Sequence, residues 1–324
     1  MHIKSCTKKH WLGNSALCAL LTLLTGCAAW DQLRCAPHNE TATPPYSENT
    51  LTECLSTNTF WGNHPVFCIG SDSAKPPIIL LHELPGLSSK TLHYAQDLAS
   101  DFSVYLPLLF GTPNQSSALK GIFALLTNGE WSARLELNGN TRIVKWLQHV
   151  TRQVQEKHPG QSIGVIGNCM TGAIPLALLD NPAVSAVVLA QPTLPLPFLY
   201  YSHEDERSLD LSEDAEARAI ARKDAWIYYL RFETDCVSRP AKRITLKALF
   251  VGFGERFIDE EIGKDEYIHR DQNKIPNVHS TLIGEHDRGG LISKVSQERR
   301  ERVKQFLKNS ASFSRKNKSD SRNQ

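Results

Sequence analysis

Neither sign of charge dominates this chain of 324 residues: 36 Lys and Arg stand against 34 Asp and Glu, a net charge of +2. That balance gives no electrostatic reason to invoke a nucleic acid as partner. The zinc spacings HExxH and paired CxxC do not occur, nor does a glycine-rich loop of the kind that cradles phosphate. The sequence therefore names no metal and no cofactor. No internal repeat recurs, which argues against solenoids and propellers. The apolar run Trp11–Leu24 (WLGNSALCALLTLL) is too short and too sharply ended for a membrane-spanning helix. Charged residues are only 22% and hydrophobic ones 41%, so the chain can build a packed core and is not broadly disordered.

What is present begins with an export pattern. Lys4, Lys8 and Lys9 precede the apolar run, and Leu24-Thr25-Gly26-Cys27 closes it. A positive segment, a short apolar one and small residues before a cysteine read as a secretory signal. The tetrapeptide resembles a bacterial lipobox. That resemblance implies cleavage before Cys27, lipidation of its thiol and a mature chain anchored to a membrane by lipid, with no transmembrane helix. Ala28 rather than Asp follows, which in a Gram-negative cell implies the periplasmic face of the outer membrane. The plainer alternative is an ordinary signal peptide with Cys27 there by chance. Of eight cysteines, Cys6 and Cys18 leave with the signal. Setting Cys27 aside leaves Cys35, Cys54, Cys68, Cys169 and Cys236 in an oxidising compartment. An odd number leaves one candidate reactive thiol. With Cys169 set apart, the other four can pair in three ways. Cys35 with Cys54 is preferred, because both lie in one loop-rich segment.

Four regions follow. Residues 1–26 form the signal. Residues 27–64, rich in Thr, Asn, Ser and Pro, read as the lipidated Cys27 and a flexible tether. Residues 65–308 alternate strands and helices. Residues 309–324 (NSASFSRKNKSDSRNQ) read as a disordered basic tail, solvated or touching an anionic surface. In the third region, strands are expected at Pro77–His82, Phe102–Leu106, Ser162–Ile166, Val184–Leu189, Trp226–Phe232 and Phe257–Ile262. Helices are expected at Ser88–Ser100, Thr141–Glu156, Met170–Leu179, Asp214–Asp224, Ala241–Phe253 and Gln297–Leu307. Such alternation implies an α/β fold: a mostly parallel sheet with helices on both faces, in one domain.

In such a sheet, ligands meet the carboxyl ends of the strands. His82 and Glu83 follow one strand there, and Gly167-Asn168-Cys169 another. Glu233 and Asp235 follow a third, and His279 and His286 come after the last. Cys, acid and His in that order make a nucleophile, an orienting acid and a base. Gly167 suits a tight strand-to-helix turn around Cys169, but Thr171 stands where the usual elbow signature has glycine, with Gly172 one place later. A helix starting at Met170 would turn its first amides toward the sulfur, and the Met170 amide could serve an oxyanion. The competing reading is a buried structural thiol.

Four stretches resemble the dienelactone hydrolase family, α/β-hydrolases with a cysteine nucleophile. They are IILLHELPGLS (Ile78–Ser88), VIGNCMTGAIPLAL (Val165–Leu178), LRFETDCV (Leu230–Val237) and NVHSTL (Asn277–Leu282). YLPLLFGTP (Tyr105–Pro113) and VVLAQPTLPLP (Val187–Pro197) support them. The resemblance implies an α/β-hydrolase fold over residues 65–308 and a hydrolase acting on a small-molecule ester or lactone. It implies Cys169 as nucleophile, His279 as base, Asp235 as its orienting acid and Glu83 as the group that contacts the resting thiol. It also implies the backbone amides of Leu84 and Met170 as the oxyanion hole.

Rivals to these roles are present. Asp235 could cap a helix; Glu255 and Asp259 are other acids; His286 is another base; His82 reads as structural. Members of the family hold a substrate carboxylate with arginine, but Ile283 stands four residues after His279; Arg142 and Arg231 are available, and nothing in the sequence fixes their direction. Trp131, Phe198, Tyr200 and Tyr201 read equally as pocket or core. Cys236, beside Asp235, could pair with Cys169 and silence it. The alternative to an enzyme is therefore a catalytically silent envelope lipoprotein that uses the scaffold for binding. Thiol–disulfide exchange is disfavoured, since no CxxC accompanies Cys169.

Overall fold

The computed structural model describes residues 51–55, 59, 64–84, 86–114, 120, 142–195, 203–268, 278–283 and 291–320. The signal segment, Cys27, Cys35 and most of the tether lie outside the described residues, as do Trp131, Phe198, Tyr200, Tyr201 and His286.

Among the described residues one sheet carries eight strands. They are β1 (Thr52–Leu55), β2 (Val66–Ile69), β3 (Pro77–Leu80), β4 (Ser103–Pro107), β5 (Ile163–Asn168), β6 (Val184–Ala190), β7 (Trp226–Phe232) and β8 (Phe257–Ile262). Their order across the sheet is β1-β2-β4-β3-β5-β6-β7-β8. β2 pairs antiparallel with both β1 and β4, while β3 to β8 pair parallel. This is the strand order of the α/β-hydrolase fold. The centre of the sheet reads as continuous apolar sequence, as in VSAVVLA of β6, because both faces are covered.

Side-chain alternation divides the core in two. Ile79, Val165, Val187 and Tyr229 pack on one face with α1 (Arg142–Lys157), α2 (Glu213–Ala221) and α3 (Pro240–Leu249). Ile78, Leu80, Ile166 and Val188 pack on the other, with Leu92 and Leu98 of the helix Ser89–Ala99 and with Val303 and Phe306 of the long helix Leu291–Asp320. Strand order reverses at β3, which lies between β4 and β5. The crevice beyond the carboxyl ends of β3 and β5 is thus the switch point where this class of sheet places its ligands.

Five expectations are corrected. The tether contributes β1, held to β2 by a disulfide between Cys54 and Cys68 rather than Cys35 and Cys54. The two strands are antiparallel neighbours, with Thr52 opposite Cys68, so Cys54 and Cys68 already lie on adjacent strands. The helix expected over Met170–Leu179 is broken into a 3-10 turn (Cys169–Thr171), a short α segment (Ile174–Ala177) and a second 3-10 turn (Leu178–Asp180). Pro175 removes one of the donors a continuous helix would need there. Helix α3 stops at Leu249, and Gly254 follows at φ 57° within a 3-10 stretch. The last helix runs on to Asp320, through the segment read as a disordered tail. Phe306, Leu307, Ser310 and Ala311 are buried, so packing extends past residue 308, and no Gly or Pro between Leu291 and Asp320 ends the helix.

Candidate active site

The sharpest local feature follows β5. Cys169 has a φ of 53°, in the left-handed region that disfavours a side chain. The chain can turn there because its neighbours are small where they must be. A Cβ at Gly167 would lie 2.3 Å from the Thr171 carbonyl oxygen, and one at Gly172 would lie 2.6 Å from Pro192 Cα. The tight position after the thiol is therefore 172, not 171. Thr171 is fully buried. Its hydroxyl accepts from the Asn168 amide at 2.9 Å and sits 2.9 Å and 3.2 Å from the carbonyl oxygens of Asn168 and His82. Asn168 Nδ2 donates to the Leu81 carbonyl at 3.0 Å, locking the turn to the end of β3.

Asp235 follows β7. Its Oδ1 accepts from the amides of Val237 and Ser238 at 2.8 Å and 2.9 Å, and its Oδ2 accepts from His279 Nδ1–H at 2.8 Å. It does not cap α3, whose N-cap position is Arg239. His279 is buried. Burial works against its charge, but the Asp235 carboxylate and the Cys169 sulfur outweigh it, and the imidazole pKa is raised well above its ordinary value. Glu83, after β3, accepts from Ser280 Oγ at 2.9 Å and from Gln191 Nε2 at 3.3 Å. A carboxylate oxygen of Glu83, the Cys169 sulfur and a ring nitrogen of His279 all lie within 4.8 Å of one another. Residues from three distant parts of the chain thus meet at one point beyond the sheet.

No family model matches the chain, and no curated protein matches it. Among solved structures it is similar to a dienelactone hydrolase-like promiscuous phosphotriesterase from metagenomic libraries, at 15% identity and a TM-score of 0.42, over 62% of this chain and 76% of that one. It is similar to a carboxylesterase of the thaumarchaeon Nitrososphaera gargenis, at 12% identity and a TM-score of 0.46, over 81% and 99% of the two chains. An esterase of Pyrococcus furiosus is similar at 12% identity and a TM-score of 0.42, over 76% and 87%. The assignment of the fold rests on the strand order, not on these likenesses.

The amide candidates occupy the turns on either side of the crevice. Met170 is the second residue of the 3-10 turn, so its N–H has no acceptor inside that turn. Leu84 directly follows Glu83 in the turn after β3. Because the segment after Cys169 is one short turn, the long-helix dipole expected from the sequence shrinks to those few amides.

Arg231 has a different task from the one considered for it. It is fully buried and donates to the carbonyls of Ser238 at 3.0 Å, Asp235 at 2.9 Å and Glu233 at 3.4 Å, and it pairs with Glu261. It holds the acid loop and is not free to meet a substrate carboxylate. Arg142 begins α1 on the surface. His82 is fully buried; its Nδ1–H meets the Glu83 carbonyl at 3.2 Å and its Nε2 accepts from the Leu109 amide at 2.9 Å. Burial lowers its pKa to about 4, so it is a neutral structural histidine. Asp259 pairs with Arg243 at 2.7 Å and Lys247 at 3.3 Å on the edge strand, and Glu255 lies in a 3-10 turn. Cys236 is disulfide-bonded, and Cys169 is the free cysteine among the described residues, so the silencing pair Cys169–Cys236 does not form.

The sequence reading missed the residues that hold Glu83. Gln191 is fully buried at φ 36°; its Oε1 accepts from the Thr281 amide at 3.2 Å and from the Thr281 hydroxyl. It therefore ties Glu83 to the turn bearing His279. Thr193 places its hydroxyl 3.6 Å from the Cys169 sulfur. The available signal was QPT directly after β6, at the same rim as the other reactive groups.

Proposed function

We propose that the protein hydrolyses a carboxylic ester or lactone of small-molecule size, with Cys169 as nucleophile. The observation that carries this reading is the strained, free thiol of Cys169 beside a histidine whose far nitrogen is held 2.8 Å from the buried Asp235 carboxylate. His279 Nδ1–H is committed to Asp235, which leaves Nε2 to take the thiol proton. The sulfur then attacks the carbonyl carbon, and the negative oxygen falls to the amides of Leu84 and Met170. Collapse expels the alkoxide, which takes the proton from His279, and an acyl-thioester remains. Water, deprotonated by His279, cleaves it and returns the thiol. Glu83, held by Ser280 and Gln191, adds a carboxylate beside the sulfur and helps remove its proton.

The export pattern completes the reading: a chain cleaved before Cys27, lipidated there, and working at the periplasmic face of an outer membrane. A silent binding scaffold is the weaker reading, because Cys236 is engaged in another disulfide and Cys169 carries a free thiol. The test is hydrolysis of small activated esters and an unsaturated lactone by the full chain and by Cys169→Ala. Turnover that disappears in the variant supports the reading; equal rates in both proteins would move the chemistry away from Cys169.

A further inference from the structure

We propose that Glu83, Cys169 and His279 form a binding site for a soft divalent cation, zinc above all, and that its occupation reversibly silences the thiol. The sequence motifs for zinc are absent because no single stretch supplies the ligands: they come from the end of β3, the end of β5 and the loop after β8. In space they converge, with one carboxylate oxygen, one sulfur and one ring nitrogen mutually within 4.8 Å. Tetrahedral zinc, with bonds of about 2.0–2.3 Å, holds its ligand atoms roughly 3.3–3.6 Å apart. Closing the remaining gap takes side-chain adjustment of the order of 1 Å, a scale that torsions of Glu and Cys supply.

The groups behind the ligands suit a metal as well. His279 donates its other ring proton to Asp235 at 2.8 Å, the carboxylate–histidine arrangement that fixes the tautomer and aims a lone pair outward. Glu83 is steadied by Ser280 and Gln191, which orient its carboxylate toward the sulfur and the ring nitrogen. Carboxylate and thiolate together neutralise a charge of two in a site where all three residues are buried. Mixed sulfur, nitrogen and oxygen donors favour zinc over magnesium or calcium, which take oxygen. Binding forms a metal–sulfur bond as the thiol proton leaves to solvent; nothing is oxidised or reduced. A sulfur tied to the metal no longer attacks a carbonyl. The binding stands without the hydrolase reading; only the silencing rests on it.

Cobalt(II) is the probe, titrated into the full chain with its disulfides intact after a chelator wash. The expected result is a sulfur-to-cobalt charge-transfer band that saturates at one equivalent and is abolished by zinc. Cys169→Ser is expected to lose the band, and Glu83→Gln and Asp235→Asn to weaken cobalt binding by about tenfold or more. Ester hydrolysis is expected to fall with zinc at the same midpoint and to return with chelator. No band in excess cobalt, or a band that survives in Cys169→Ser with native circular dichroism, would overturn the site. A rate that rises with zinc would overturn the silencing. A band in a protein that hydrolyses nothing would sustain the site and sink the hydrolase reading. Hydrolysis untouched by zinc, with no band, would do the reverse.

Discussion

The backbone at Cys169 can be tested apart from its chemistry by comparing Cys169→Gly with Cys169→Ala. Both variants lose the sulfur, so the difference between them reports the cost of a Cβ at φ 53°. At an ordinary position alanine is the more stable of the two by roughly 0.5–1 kcal/mol, because glycine loses more backbone freedom on folding. In the left-handed region the Cβ meets the following carbonyl oxygen at a cost of about 1–2 kcal/mol. Subtracting the first from the second leaves glycine ahead by about 0–1.5 kcal/mol, with a central value of about 0.75 kcal/mol. Burial of the alanine methyl trims that figure without reversing its upper part. Urea unfolding followed by circular dichroism resolves such a gap between paired variants. Alanine the more stable by its usual margin would mean that Cys169 carries no strain, and the proposal of a nucleophile at this turn would lose its structural basis.

Other consequences follow from the groups around that turn. Asp235→Asn offers His279 an amide in place of a carboxylate and destabilises the required tautomer. Its kcat is expected to fall by about 10³–10⁴-fold with KM little changed, measured on whichever ester the native chain turns over. Arg231→Met removes three hydrogen bonds to buried carbonyls of the acid loop and breaks an ion pair with the half-buried Glu261. A loss of about 3–5 kcal/mol in stability is expected, and Arg231→Lys should not restore the activity, because one ammonium cannot serve that spread of acceptors. His82 has a folded pKa near 4. Between pH 6.5 and pH 4 the unfolded chain binds a proton there that the native chain refuses, so stability falls with pH by up to roughly 3 kcal/mol. His82→Gln, whose amide can still accept from Leu109, should flatten that acid limb in a pH series of denaturant midpoints.

Much of the scaffold was legible because the pattern was local. WIYYLRF and FIDEEI became β7 and β8 over the expected residues, and the amphipathic stretch after Thr141 became α1. The fold class followed from strands alternating with helices. The convergence of Glu83, Cys169, Asp235 and His279 was foreseen in outline, since each follows a strand and parallel strands end at one rim. What escaped depends on non-local contacts. Gln191 is one polar residue in an unremarkable loop until the fold sets it between Glu83 and Thr281. The Cys54–Cys68 pairing follows from two short strands that carry almost no periodic signal. The need for glycine at 172 rather than 171 comes from the close approach of Pro192, twenty residues on in the chain, which no helical period reveals.

The most direct measurement of the central claim is the intact mass of the full chain, acid-quenched during turnover of an activated ester and then mapped by peptide digestion. A mass increase of one acyl group is expected, carried by the peptide containing Cys169 and released by hydroxylamine as a thioester. Turnover with the acyl group on another residue, or with no adduct under conditions where deacylation is blocked, would contradict it.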